Sequence, residues 1–283
     1  MGRVMRGKTC LITGANSGIG RESTAGLAAQ GARILMVCRD AGRGEAARND
    51  ILARVPGAEL ELILADLSTI GAVRRLVREV STRADHLDVL LSNAGLFNAR
   101  RRVTPDGLEM TFAVNHLAPF ILVNSLLDLV RSSSSARIVV VASAAHYRGT
   151  IRFDDLQSNH GYGGWKAYTQ SKLANVLFAL ELARRLRREE ITVNCLHPGV
   201  VATKLLLRGI VPGWLARPWT VTPQQGAMTS IYLSSSEEVR GISGRYFEDC
   251  KEKEPSAEAR DLTVAQRLWT VSEEIIEEKV RNT

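Results

Sequence analysis

The sequence predicts an α/β fold, a single doubly wound domain with a central parallel sheet flanked by helices, and three observations lead there. Short apolar runs recur along the chain, separated by longer stretches with helical periodicity. The runs contain few alternating polar positions, as expected of strands covered on both sheet faces. A glycine-rich turn joins the first run to the first helical stretch, and strands then alternate with helices, the pattern of a parallel sheet.

Taken in order, the candidate strands are Thr9-Cys10-Leu11-Ile12, Arg33 to Cys38, Leu60 to Leu64, Val89-Leu90-Leu91, Arg137 to Ala142 and Thr192 to Leu196. Between them, a first helix ends near Gln30 and is closed by Gly31, and a second begins at Ala41 and stops before Pro56-Gly57. Thr104-Pro105-Asp106 is read as the opening of a long helix reaching toward Val130, with Ser132 to Ser135 a short linker to the next strand. A strongly periodic helix containing Tyr168 runs to about Arg188, and the C-terminal amphipathic segment places Trp269 in the core. No repeat or interdomain linker divides residues 1–283, so one domain is expected, with the apolar, irregular segment at about 200–222 as a substrate lid.

Composition narrows the function classes. With 45% hydrophobic and 24% charged residues the chain can bury a substantial core, and no apolar run reaches the ~18 residues that span a bilayer. Met1 to Lys8 is too short and polar for a signal peptide, and Cys10, Cys38, Cys195 and Cys250 lie far apart without zinc spacing. The expectation is a cytoplasmic protein with reduced core thiols and no metal. A net charge of +7 invites nucleic acid or an anionic membrane as partner, but the basic residues are scattered. They read as a solvated surface, with no nucleic-acid partner; peripheral membrane contact through the apolar segment stays open.

The turn Thr13-Gly14-Ala15-Asn16-Ser17-Gly18-Ile19-Gly20 follows the first strand and opens a helix. Glycines there permit a tight turn and let backbone amides approach a diphosphate, which makes Gly14, Asn16, Ser17, Gly18, Ile19 and Gly20 candidate dinucleotide contacts. The second strand ends Val37-Cys38-Arg39, with a neutral cysteine where an NAD-binding fold usually has an acid. Arg39 suits a 2′-phosphate, which favours NADP(H), while Asp40 is assigned to capping the helix at Ala41.

Tyr168 and Lys172, four apart on one helix face, form a pair with a chemical use: an ammonium nearby favours the phenolate and lowers a tyrosine's proton affinity. Tyr168 is thus a candidate acid/base. Ser143 ends a strand on the side where doubly wound sheets bind ligands, and Asn115 is placed to hold a water linking Lys172 to solvent. His146 and Tyr147 are possible pocket residues without a catalytic assignment, and His116 and His197 read as structural.

These motifs together resemble the short-chain dehydrogenase/reductase family over nearly the whole chain. The resemblance implies a Rossmann-type fold and matches Asn115, Ser143, Tyr168 and Lys172 to the family's catalytic tetrad. It makes Asp66, with Leu67 beside it, the adenine contact, and Asn93-Ala94-Gly95 the motif that stabilises the central strand. Pro198-Gly199 and Thr203 become the segment beside the nicotinamide. Within the family, Val37-Cys38-Arg39-Asp40, Ala142-Ser143-Ala144-Ala145-His146, Ser171 to Phe178, His197 to Val201 and Gly244 to Cys250 are similar to the retinol dehydrogenase branch. That branch implies NADP(H) and retinoid or other lipophilic aldehyde, ketone or alcohol substrates, and the family implies homodimers or tetramers. Two departures are the missing apolar N-terminal anchor of membrane-bound members and Ser92 in place of an Asn. A non-catalytic NADP(H)-binding protein and a reductase of carbon–carbon double bonds remain alternatives.

Overall fold

The structure is a computed structural model that describes residues 4–200 and 221–281. Its strands are β1 (Thr9–Thr13), β2 (Arg33–Cys38), β3 (Leu60–Leu64), β4 (Val89–Ser92), β5 (Ala136–Val141), β6 (Ile191–His197), β7 (Arg245–Glu248) and β8 (Lys251–Lys253). They form one sheet in the order β3-β2-β1-β4-β5-β6-β7-β8, parallel except for β8, which runs antiparallel to β7. Strand order reverses between β1 and β4, so a crevice opens where the carboxyl ends of those two strands diverge into their loops.

Alternate residues of the strands feed two cores. Cys10, Ile12, Ile34 and Met36 pack with α1 (Gly18–Ala29), α2 (Ala41–Arg54) and, through Leu233, α8 (Pro223–Ser235). Leu11, Leu35 and Val37 point the other way, toward α3 (Ile70–Arg83), α5 (Ala118–Ser125), α7 (Gly164–Arg185) and α9 (Leu262–Arg281). Burial pushes the thiols of Cys10, Cys38 and Cys195 up, and all four cysteines are free. Trp269 is core as expected: its ring meets Phe120 at 4.8 Å and Phe178 at 5.8 Å, with the Arg185 guanidinium 3.9 Å above it. No helix among the described residues is long and apolar enough to cross a membrane.

The structure corrects two readings. The helix assigned to start at Thr104-Pro105-Asp106 begins instead at Met110, in a short α4 (Met110–Phe112). Buried Glu109 accepts from the N–H groups of Thr111 and Phe112 at 2.8 and 2.7 Å and so supplies the cap, while Asp106 accepts from the Ile70 N–H at the start of α3. Nor is the helix continuous. Ala113–Leu117 form a π turn before α5, which gives way at Leu126 to α6 (Leu127–Arg131). Second, β7 and β8 were not anticipated as strands; β8, at the sheet edge, is Lys-Glu-Lys, a charged sequence that protects an edge but carries no apolar signal.

Candidate active site

At the carboxyl end of β1 the glycine-rich turn is latched to the loop after β4. The Thr13 hydroxyl accepts from the N–H groups of Asn93 and Ala94, each at 3.0 Å, and Asn93 Nδ2 donates to the Thr13 carbonyl at 2.8 Å. A Cβ on Gly20 would lie 2.3 Å from the Gly14 oxygen and 2.5 Å from Asn93 Nδ2, so the first turn of α1 lies directly on this latch. Gly14 and Gly18 take φ of +68° and +52°, turning the backbone sharply into the helix. Ser17, the N-cap of α1, makes no side-chain cap, whereas Asp40, Thr69 and Thr222 cap their helices through their side chains. The first amides of α1 are therefore left for an anionic partner, and the glycine cradle leaves room for a dinucleotide diphosphate.

The end of β2 carries Arg39, exposed and without an ion pair to any described residue. Asp40 caps α2 as expected, accepting from the Arg43 N–H at 2.8 Å. Arg43, passed over in the sequence, holds its charge near Cys38, where it opposes the upward push of burial on the thiol. The corner thus has a second cation; its signal was a basic residue in the first turn of α2, where the helix dipole disfavours one. Asp66, past the end of β3, is exposed and accepts from the Ser68 N–H, with Leu67 half-buried beside it. Pro198 and Gly199 follow β6 on the same side of the sheet. Thr203 and the proposed lid, apart from Val200, Val221 and Thr222, lie outside the described residues.

Ser143, Tyr168 and Lys172 come together as predicted, and Asn115 lies behind them. Tyr168 and Lys172 sit on α7, both buried, and the Ser143 side chain lies close enough to Tyr168 to pull its proton affinity down. Lys172 Nζ donates to the Val141 carbonyl at 3.1 Å and lies 5.7 Å from the centre of the Tyr168 ring. Fully buried Asn115, inside the π turn, accepts from the Leu96 N–H at 2.8 Å and donates to the Leu96 carbonyl and to Ser171 Oγ at 2.9 and 3.0 Å. It ties the loop after β4 to α7, with its Oδ1 and Lys172 Nζ flanking Gly95. A π turn interrupts the regular helical ladder and recurs at functional positions.

The proton affinities differ from the expected pattern. Burial pushes Tyr168 up to about 12, against a smaller downward pull from the Ser143 side chain. Burial likewise drives Lys172 down to about 8. Desolvation therefore outweighs any lysine effect on the phenol, and Tyr168 keeps its proton near neutrality, as a proton donor must.

The surroundings of Tyr168 were not legible. Phe97 meets its ring edge-on at 5.8 Å, and exposed Trp165 stacks on it at 6.0 Å. Gly164 brings these together: a Cβ there would lie 2.4 Å from the Asn98 oxygen, so the loop after β4 rests against the start of α7. Trp165, three residues before Tyr168 on one helix, was the available clue. His116 and His197, read as structural, are both buried, and burial lowers them to about 3 and about 4.

Comparison with known proteins follows this geometry. A family model described as short chain dehydrogenase matches residues 8–208. Human retinol dehydrogenase 14 is 46% identical over 294 residues, covering 96% of this chain and 87% of that protein. Human retinol dehydrogenase 13 is 39% identical, covering 95% and 85%. Among solved structures, an uncharacterised protein from Mycobacterium paratuberculosis superposes with a TM-score of 0.79 at 32% identity, covering 96% of this chain and 94% of the other.

Proposed function

This chain belongs to the short chain dehydrogenase family of oxidoreductases, and from that premise we propose that it reduces the carbonyl of a small lipophilic aldehyde or ketone with NADPH, and oxidises the corresponding alcohol in reverse. The observation that carries the reading is the buried Tyr168 with the Ser143 side chain beside it and Lys172 Nζ 5.7 Å from its ring. With the dinucleotide's diphosphate on the glycine turn, its nicotinamide would supply or take the hydride. Tyr168 gives its hydroxyl proton to the substrate oxygen; Ser143 holds and polarises that oxygen; Lys172 binds the nicotinamide ribose. Asn115 keeps the loop after β4 and α7 in register and sustains proton resupply through Lys172. Gly14 to Gly20 hold the diphosphate, Arg39 the 2′-phosphate, Asp66 and Leu67 the adenine, and Asn93 to Gly95 with Pro198, Gly199 and Thr203 line the nicotinamide ribose and ring. Residues 1–283 act as one domain, with 200–222 as the lid. The lipophilic substrate is supported by exposed Trp165 and Val200 at the carboxyl end of the sheet, and by the names of the relatives, which point to a retinoid.

The test is NADPH and NADH consumption with retinal, medium-chain aldehydes, steroids and quinones, by the wild type and Arg39→Asp. The wild type should prefer NADPH. A hydrogen bond to a charged group is worth about 1.5–3 kcal/mol, so Arg39→Asp should lower that preference about tenfold to a hundredfold. An unchanged preference would mean that another residue reads the phosphate.

A pH dependence follows from Lys172. Its charged form prevails below its value of about 8 and is lost above it, so kcat/KM for carbonyl reduction should hold at neutral pH and decline as pH rises through about 8. A profile flat across that range would separate Lys172 from the free enzyme's activity.

A further inference from the structure

His146 lies in the 3-10 turn Ala144–Arg148, three residues past Ser143, and is fully buried. Its ring is used at both ends. Nε2 lies 3.2 Å from the backbone N–H of Ser256, which can only donate, so Nε2 accepts and carries no proton. The proton of the neutral ring is then on Nδ1, which donates to the Ser143 carbonyl at 2.8 Å. Burial lowers the histidine's proton affinity and favours this neutral form.

Ser143 is consequently gripped by the turn that follows it. Its carbonyl accepts from His146 Nδ1 and from the His146 backbone N–H at 3.0 Å, while its hydroxyl oxygen accepts from the Ala145 N–H at 3.1 Å. With one lone pair so engaged, Oγ is held in place beside Tyr168. The grip extends past β8. Tyr147, whose ring lies 4.0 Å from His146, donates to the Glu254 carbonyl, and Glu258 accepts from the Ile151 N–H at 2.9 Å. Segment 254–258 is thus tied at three points to the stretch after Ser143, and the bond at His146 is the one that reaches the serine's own peptide.

We propose that His146 is a positioning residue: its Nδ1–H bond to the Ser143 carbonyl aims the serine hydroxyl at the substrate oxygen, and its Nε2 joins that bond to the segment after β8. The inference rests on the function proposed for Ser143.

Two near-isosteric variants separate the ring's two bonds. In His146→Asn, Nδ2 replaces the Nδ1 donor; in His146→Gln, Oε1 replaces the Nε2 acceptor and the δ donor is lost. Single-turnover oxidation of bound NADPH by a carbonyl substrate should fall about a hundredfold in His146→Gln, the scale of a small misplacement of a reacting group, with NADPH affinity unchanged. His146→Asn should keep most of the rate. In a Ser143→Ala background, His146→Gln should cause no further loss, because it acts through the serine. The inference is overturned if His146→Gln reacts as fast as wild type, if His146→Asn is as slow as His146→Gln, or if the two losses simply add. A wild type that oxidises no NADPH with any carbonyl overturns the functional reading and this inference together.

Discussion

Tyr168→Phe should lower carbonyl reduction by about a hundredfold to ten-thousandfold, the range a positioned general acid contributes, while NADPH binds as before. The substitution isolates the hydroxyl. Phe97 and Trp165 pack on the ring, and phenylalanine keeps both ring contacts. What is lost is the proton donor and the partner of Ser143. The rate measured beside NADPH affinity and melting temperature checks this: a fall in rate alone fits the assignment, and unchanged turnover refutes it.

Gly20→Ala should act at the other end of the crevice. The new Cβ would lie 2.3 Å from a backbone oxygen and 2.5 Å from Asn93 Nδ2, which is held by its bond to Thr13. Neither neighbour yields without moving the diphosphate turn or the latch, so overpacking of about 1–3 kcal/mol is expected. Any 1.4 kcal/mol of it expressed in binding weakens NADPH about tenfold. Gly71→Ala is the control: it sits in the first turn of α3, its Cβ would meet only Arg75 at 3.6 Å, and helical alanine is favoured over glycine. NADPH affinity should drop in the first variant and hold in the second, by titration of NADPH fluorescence. Equal affinities would show that the turn does not carry the cofactor.

The parts of the fold written in local pattern were readable. Five of the six strands appear as apolar runs because both faces of each are buried, with β3 at the sheet edge only partly covered, and Tyr168 with Lys172 stands out because one helix face fixes their spacing. Features set by distant partners were not. Ala113–Leu117 has the composition of ordinary helix, and nothing local marks its π turn. Asp106 looks like the start of the nearest helix but caps α3, 36 residues away in sequence. Burial decides the proton affinity of Tyr168, and Phe97, one of the rings packed on it, comes from a loop after β4 which the sequence does not place against α7. His146 reads as no more than a possible pocket residue because its second partner, Ser256, is 110 positions distant.

The central claim is hydride transfer with protonation through Tyr168, and its most direct test follows the hydride itself. NADPH carrying deuterium at the reactive position of the nicotinamide, incubated with a carbonyl substrate that the wild type consumes, should deliver the label to the carbonyl carbon of the alcohol product, read by mass spectrometry. Tyr168→Phe should bind the labelled cofactor and deliver almost none. Label on a carbon other than the carbonyl carbon, or cofactor bound by the wild type without transfer to any substrate, would contradict the account.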